Sequence, residues 1–257
     1  MDISFLGAHN CESKDTRCIS LLIDGTLAID AGGLTASLSL EEQQGLEALL
    51  LTHHHYDHIR DLPALAMNSF LGGGYTISVY STAPVLETVS NYFFDGKLYP
   101  KFTEMPQEKP ILSFTIIEPY QQISINGFEV MAVPVEHAVP TTGYQVTTPD
   151  GKSMFYTGDT GPGLADCWQY ISPQLLVIEV TATNGYEDFG KEVGHLTPSL
   201  LEQELIKFRE VRGYLPRIVL VHMNPRLEKE IAKEVSAVAT SLGCQITLGY
   251  EGMHISL

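Results

Sequence analysis

With 257 residues, 44% hydrophobic and 18% charged, the chain has enough apolar material for a sizeable buried core. That composition excludes a disordered tail protein, a collagen-like repeat and a coiled coil. Its 15 Lys and Arg stand against 31 Asp and Glu, a formal charge of −16. Proteins that grip duplex or transfer RNA carry a basic footprint, so extended nucleic acid is not an expected partner.

The N-terminal third reads as strands that turn back on themselves. Residues 18–24 and 26–32 flank Gly25, and Asp24-Gly25 is a strong two-residue hairpin signal. Ser39 with Glu42 three residues on forms a capping box that opens a short amphipathic helix. An apolar strand over 48–53 follows, then a helix from about Ile59 to Phe70, a strand over 76–81 and a helix over 83–94 with Pro84 near its start. Three prolines between 95 and 110 predict a long loop. Its neighbours Tyr92, Phe93 and Phe94, with Tyr99 and Phe102, could stack on a base, although helical spacing favours core for the first three.

The second half begins with strands again, over 113–119, 122–125, 128–135, 143–148 and 152–159. Asn126-Gly127 and Asp150-Gly151 are turns within that run. Strand and helix then alternate: a strand at 175–180, a helix from Pro198 to about Val211, a strand at 217–222, a helix from about Leu227 to Ser241, and a strand at 245–248. Each half is thus hairpin strands followed by strand–helix alternation. Two such halves predict an α/β fold of two facing sheets with helices outside, a four-layer αβ/βα sandwich, with residues 1–257 as one domain.

No run of 18 apolar residues predicts a membrane helix, and MDISFLGAHN lacks the basic and apolar regions of a signal peptide. Cys11, Cys18, Cys167 and Cys244 fit neither a disulfide framework nor a thiolate knuckle. Free thiols in a reducing cytoplasm are expected.

The strongest local signal is Leu51-Thr52-His53-His54-His55-Tyr56-Asp57-His58-Ile59, where a strand gives way to a helix. In extended backbone i and i+2 share a side, so His53 and His55 point together while His54 points away. Asp57 and His58 at the helix entry can serve a second ion. Imidazoles with a carboxylate suit zinc, manganese or iron. Further ligands should stand at strand ends, and His137, Asp159 and His222 each follow an apolar strand. His9 and His254 have no such place.

At these residues the sequence resembles the metallo-β-lactamase superfamily: HxHxDH, then a His, an Asp and a His, each just past a strand. The resemblance implies that His53, His55 and His137 bind a first divalent metal, that Asp57, His58 and His222 bind a second, and that Asp159 bridges them. It places Asp30 beside the metals as a support, and a hydroxide of near-neutral pKa between the two ions. Glu179, just after a strand, and His195, in GHLTPSLL, narrow the resemblance to ribonuclease Z and the bacterial class II 3′,5′-cyclic nucleotide phosphodiesterases. In those relatives the His protonates the departing alkoxide and the carboxylate orients its ring. Asp57, Glu179 and His195 are the catalytic residues on this reading.

Leu62-Pro63 fits the phosphodiesterase pattern, while Tyr56 and Ile59-Arg60-Asp61 depart from it. The charge and the short connection from His137 to Asp159, with no room for an RNA-gripping arm, favour a small cyclic nucleotide such as cAMP as partner. A ribonuclease Z-like activity on RNA and a non-catalytic metal-binding module are the alternatives. No membrane partner is expected, and a homodimer is allowed.

Overall fold

The computed structural model describes Met1–Leu257. β1 (Asp2–Gly7), β2 (Ser20–Ile23) and β3 (Leu27–Ile29) are antiparallel neighbours. Ile23 pairs with Leu27, so the turn read from Asp24-Gly25 is a three-residue loop, in which Asp24 (φ 47°) and Gly25 (φ 71°) both take left-handed backbone. β4 (Ala48–Leu50), β5 (Ile77–Ser81) and β6 (Leu112–Ile116) then add in parallel, one beside the next. The second sheet repeats the plan. β7 (Gln122–Ile125), β8 (Phe128–Val135), β9 (Thr141–Thr147) and β10 (Ser153–Tyr156) form an antiparallel run. β11 (Leu175–Glu179), β12 (Arg217–Val221) and β13 (Ile246–Leu248) extend it in parallel. β14 (Met253–Ser256) leaves the second half and pairs antiparallel with β1, so each sheet has seven strands.

Strand alternation explains the layers. Leu21 and Ile23 of β2 and Val219 and Val221 of β12 enter one cluster of 25 buried residues between the sheets. Leu22 faces a second cluster outside the first sheet, and Ile218 and Leu220 a third outside the other. Strands buried on both faces read as continuous apolar runs, as these do. The outer clusters are covered by helices. Over the first sheet these are α1 (Leu34–Ser37), α2 (Leu40–Gln44), α3 (Tyr56–Ile59), α4 (Leu62–Leu71) and α5 (Ala83–Tyr92). Over the second they are α6 (Ala165–Trp168), α8 (Pro198–Arg212) and α9 (Glu228–Leu242), while α7 (Glu187–Val193) gives that cluster no residue. The result is the four-layer αβ/βα sandwich.

Two local expectations change. The helix expected from Ile59 is two pieces, one turn of α3 and then α4, broken where Asp61 accepts from the Thr35 N–H and hydroxyl at 2.8 and 2.9 Å. Pro63 sits in the first turn of α4, where its missing N–H costs nothing. The loop after α5 folds back over the first sheet and buries Phe94 and Phe102 in its outer cluster, with the Phe93 and Tyr99 rings packed against it. Those two buried rings are core, which removes them from any base-stacking set.

Candidate active site

The His and Asp residues singled out by the sequence meet, Asp57 and His58 from α3 and the others from segments that follow strands. One ligand atom from each of His53, His55, His137 and Asp159 lies within 4.8 Å of the others, and the same holds for Asp57, His58, Asp159 and His222. Asp159 belongs to both groups. Its Oδ2 stands 3.6 Å from His53 Nε2, 3.9 Å from His137 Nε2 and 3.4 Å from His222 Nε2, while Oδ1 is 3.2 Å from His58 Nε2. His54 is in neither group. His9 pairs instead with Glu251, and His254 with Ser4.

Four of the five imidazoles, all but His55, are aimed by a bond at the far nitrogen. His58 Nδ1–H donates to Asp30 Oδ2 at 2.8 Å, and the Thr52 N–H and hydroxyl also donate to that carboxylate. His53 Nδ1–H donates to Thr52 Oγ1 at 3.0 Å, and His222 Nδ1–H to Thr181 Oγ1 at 2.8 Å. His137 Nδ1–H donates to the Gly194 carbonyl at 2.8 Å. Gly194 has φ +76°, and a Cβ there would stand 2.7 Å from the His137 Cα, so only glycine lets the two backbones approach. Asp30 (φ 59°) and His222 (φ 64°) hold left-handed backbone themselves, a strain that non-glycine residues carry mainly at functional sites.

The donor set fits a divalent cation. His53 Nε2, His58 Nε2 and Asp159 Oδ1 are buried without hydrogen-bond partners, a costly state for polar atoms unless a ligand completes it. Protons cannot complete it evenly. Burial, reinforced by neighbouring His58, holds His53 well below the ordinary imidazole range. Burial also disfavours the His58 cation, yet the Asp159 and Asp30 carboxylates outweigh it and hold that ring well above the range. Burial opposes the Asp159 charge too, and the His222 and His58 rings overcome it to keep the carboxyl far below its ordinary value. Crowded imidazoles around a shared carboxylate are what zinc, manganese or iron take as ligands.

Beside this cluster Glu179 is fully buried at the end of β11. Its Oε1 accepts from His195 Nδ1–H at 2.6 Å and from the Thr160 N–H at 3.1 Å. Its Oε2 accepts from the Thr181 hydroxyl at 2.9 Å and the Leu196 N–H at 3.3 Å. The His195 ring stacks 5.4 Å from that of His222, its side chain 20% exposed. Burial lowers its affinity for a proton, but the Glu179 carboxylate more than reverses this and raises the ring to about 9.

Thr181 was not foreseen from sequence, nor were Thr52 and Gly194 as supports. Thr181 lies two residues past Glu179, and the shared side of i and i+2 at a strand end was the available signal.

The family described as the beta-lactamase superfamily domain matches residues 21–223. The chain belongs to the metallo-β-lactamase superfamily of metal-dependent hydrolases. It is 24% identical, over 73% of its length and 60% of the relative's, to a probable 3′,5′-cyclic-nucleotide phosphodiesterase of Yersinia pestis. It is 29% identical to a ribonuclease Z of Methanopyrus kandleri, over 56% of this chain and 50% of that one. The chain thus spans about half to three-fifths of the length of these curated relatives. Among solved structures, unliganded yeast PDE1 shares the fold with a TM-score of 0.84 at 15% identity, over 100% of this chain and 99% of the other.

Proposed function

We propose that this superfamily member hydrolyses a 3′,5′-cyclic nucleotide to the 5′-nucleotide. His53, His55, His137 and Asp159 would hold one divalent ion, and Asp57, His58, Asp159 and His222 a second, with zinc, manganese or iron as candidates. Such ions supply positive charge to a phosphodiester and acidify water at neutral pH.

The observation that carries the reading is the His195–Glu179 pair beside the ligand cluster. Glu179 fixes Nδ1 of the ring, which leaves Nε2 to hand a proton to the departing O3′. A ribose oxygen is a poor leaving group unless protonated as it departs, whereas the thiolate of a thioester leaves without such an acid. With its affinity for protons raised by Glu179, His195 stays charged at neutral pH. Burial disfavours the Asp57 carboxylate, but the hydrogen bond to His222 and the His58 ring hold it down at about 2. Asp57 therefore remains an anion, as a ligand or a proton acceptor must.

The ribonuclease Z-like alternative draws support from the 29% identical relative. The −16 charge weighs against it, because a long RNA meets repulsion beyond the local site. Replacing His195→Ala should leave metal content unchanged and lower turnover of cAMP about 10²–10⁴-fold, the usual span for general acid catalysis. A p-nitrophenyl ester, whose leaving group hardly needs protonation, should lose far less. Equal losses on both substrates would count against the acid.

A further inference from the structure

Next to His195 the structure holds a cavity of about 580 Å³. Its walls include His195 and Thr181 on one side and Asn10, Asn224 and Arg226 on another. The short turn Asn184–Tyr186 and α7 complete it, presenting Tyr186 (50% exposed) and Phe189 (59% exposed) to the opening rather than to the core. Large rings left half-exposed at the mouth of a cleft are costly to hydrate and available for stacking. No carboxylate lines this cavity, although the chain carries 31 Asp and Glu. The exposed Arg226 is the basic side chain in its wall, a polarity suited to an electron-rich, anionic ligand.

One polar group is left waiting. Asn10 Oδ1 is shielded from solvent and has no hydrogen-bond partner, while the Arg226 N–H occupies Asn224 Oδ1 at 3.0 Å. A buried acceptor without a donor calls for a ligand or water to complete it. The edge of a nucleobase, with its amino and ring nitrogens, is complementary to a carboxamide.

We propose that this cavity is the nucleobase subsite, where a base stacks on Phe189 and Tyr186 with its polar edge toward Asn10. The proposal rests on the cyclic-nucleotide reading above: a ribose whose O3′ receives the proton of His195 carries its base into the space that His195 lines. It gives the aromatic role to α7 and the turn before it, on the second sheet, instead of the loop after α5.

Calorimetric titration of the metal-loaded protein with AMP and with ribose 5-phosphate, which lacks a base, tests this without turnover. Wild type should prefer AMP. Phe189→Ala and Tyr186→Ala should each weaken AMP about 5- to 100-fold, the range for loss of one base-stacking ring, and leave ribose 5-phosphate unchanged. Phe189→Trp keeps a stacking face and should retain AMP affinity. Equal AMP affinity in wild type and both alanine variants, or no preference for AMP over ribose 5-phosphate, would overturn the subsite. Base-dependent AMP binding in a protein that turns over no cyclic nucleotide would leave the subsite standing and remove the catalytic reading. Turnover of cAMP with a KM indifferent to both alanine variants would do the reverse.

Discussion

Thr181 joins two parts of the site through one hydroxyl, accepting from His222 Nδ1–H and donating to Glu179 Oε2. Partners of this kind orient a ligand ring and raise its basicity, and their loss typically costs 10–100-fold in metal affinity or activity. Thr181→Val should therefore weaken zinc by about 10- to 100-fold in competition with a chromophoric chelator, and Thr181→Ser should restore it. Wild-type affinity in the valine variant would show that His222 needs no such partner. Legibility at this scale followed local geometry. His53 and His55, between β4 and α3, were readable because side chains two residues apart in extended backbone share a side. Thr181 and Gly194 were not, because a hydroxyl and a glycine are common everywhere and their value here comes from residues far off in sequence. His137, for example, lies 57 positions from the carbonyl that aims it.

Among the elements, strong punctuation was legible and short helices were not. Asp24-Gly25 and Asn126-Gly127 mark real hairpins, and the Ser39–Glu42 box caps α2 as read. The single turn of α3, and α6 and α7, are too short to show helical periodicity, and short helices draw their stability from packing rather than propensity. The pairing of β14 with β1 is likewise a long-range event, and beside it His9 and Glu251 form a testable clasp. His9 Nδ1 meets Glu251 Oε1 at 2.7 Å, and the Arg17 N–H donates to the same oxygen at 2.8 Å.

Burial disfavours the His9 cation, but Glu251 and then Glu228 raise its pKa above the ordinary 6.5. Burial also opposes the Glu251 charge, and His9 with the Arg17 N–H brings that pKa below 4.5. The His9 contribution is complete below 6.5 and fades as pH rises through its raised folded value. The Glu251 contribution is complete above 4.5 and fades as pH falls through its lowered folded value. The clasp should therefore stabilise most between the two ordinary values. The Tm gap between wild type and His9→Gln should peak near about pH 5.5 and narrow toward about pH 9 and about pH 3. A gap independent of pH would remove the ion pair from the account.

For the whole molecule, the repeated plan of hairpin strands followed by strand–helix alternation made the sandwich readable before any contact was known. Sheet order, and the return of β14 to the first sheet, depended on pairings the local pattern does not encode. No helix is long and apolar enough to cross a membrane. On the proposed reading the overall charge of −16 bears on the substrate: ions held by the ligand cluster would supply positive charge locally, while a net negative surface would disfavour a polyanion. A lone phosphodiester needs only the local field, whereas a transfer RNA needs a long basic track. The most direct test is a side-by-side assay of 3′,5′-cAMP and a precursor transfer RNA at matched salt, with Mn²⁺, Zn²⁺ or Fe²⁺ supplied and products identified. Conversion of cAMP to 5′-AMP, with little RNA cleavage, is the expected result. Efficient trimming of the RNA 3′ end without turnover of cAMP under any of the three metals would contradict it.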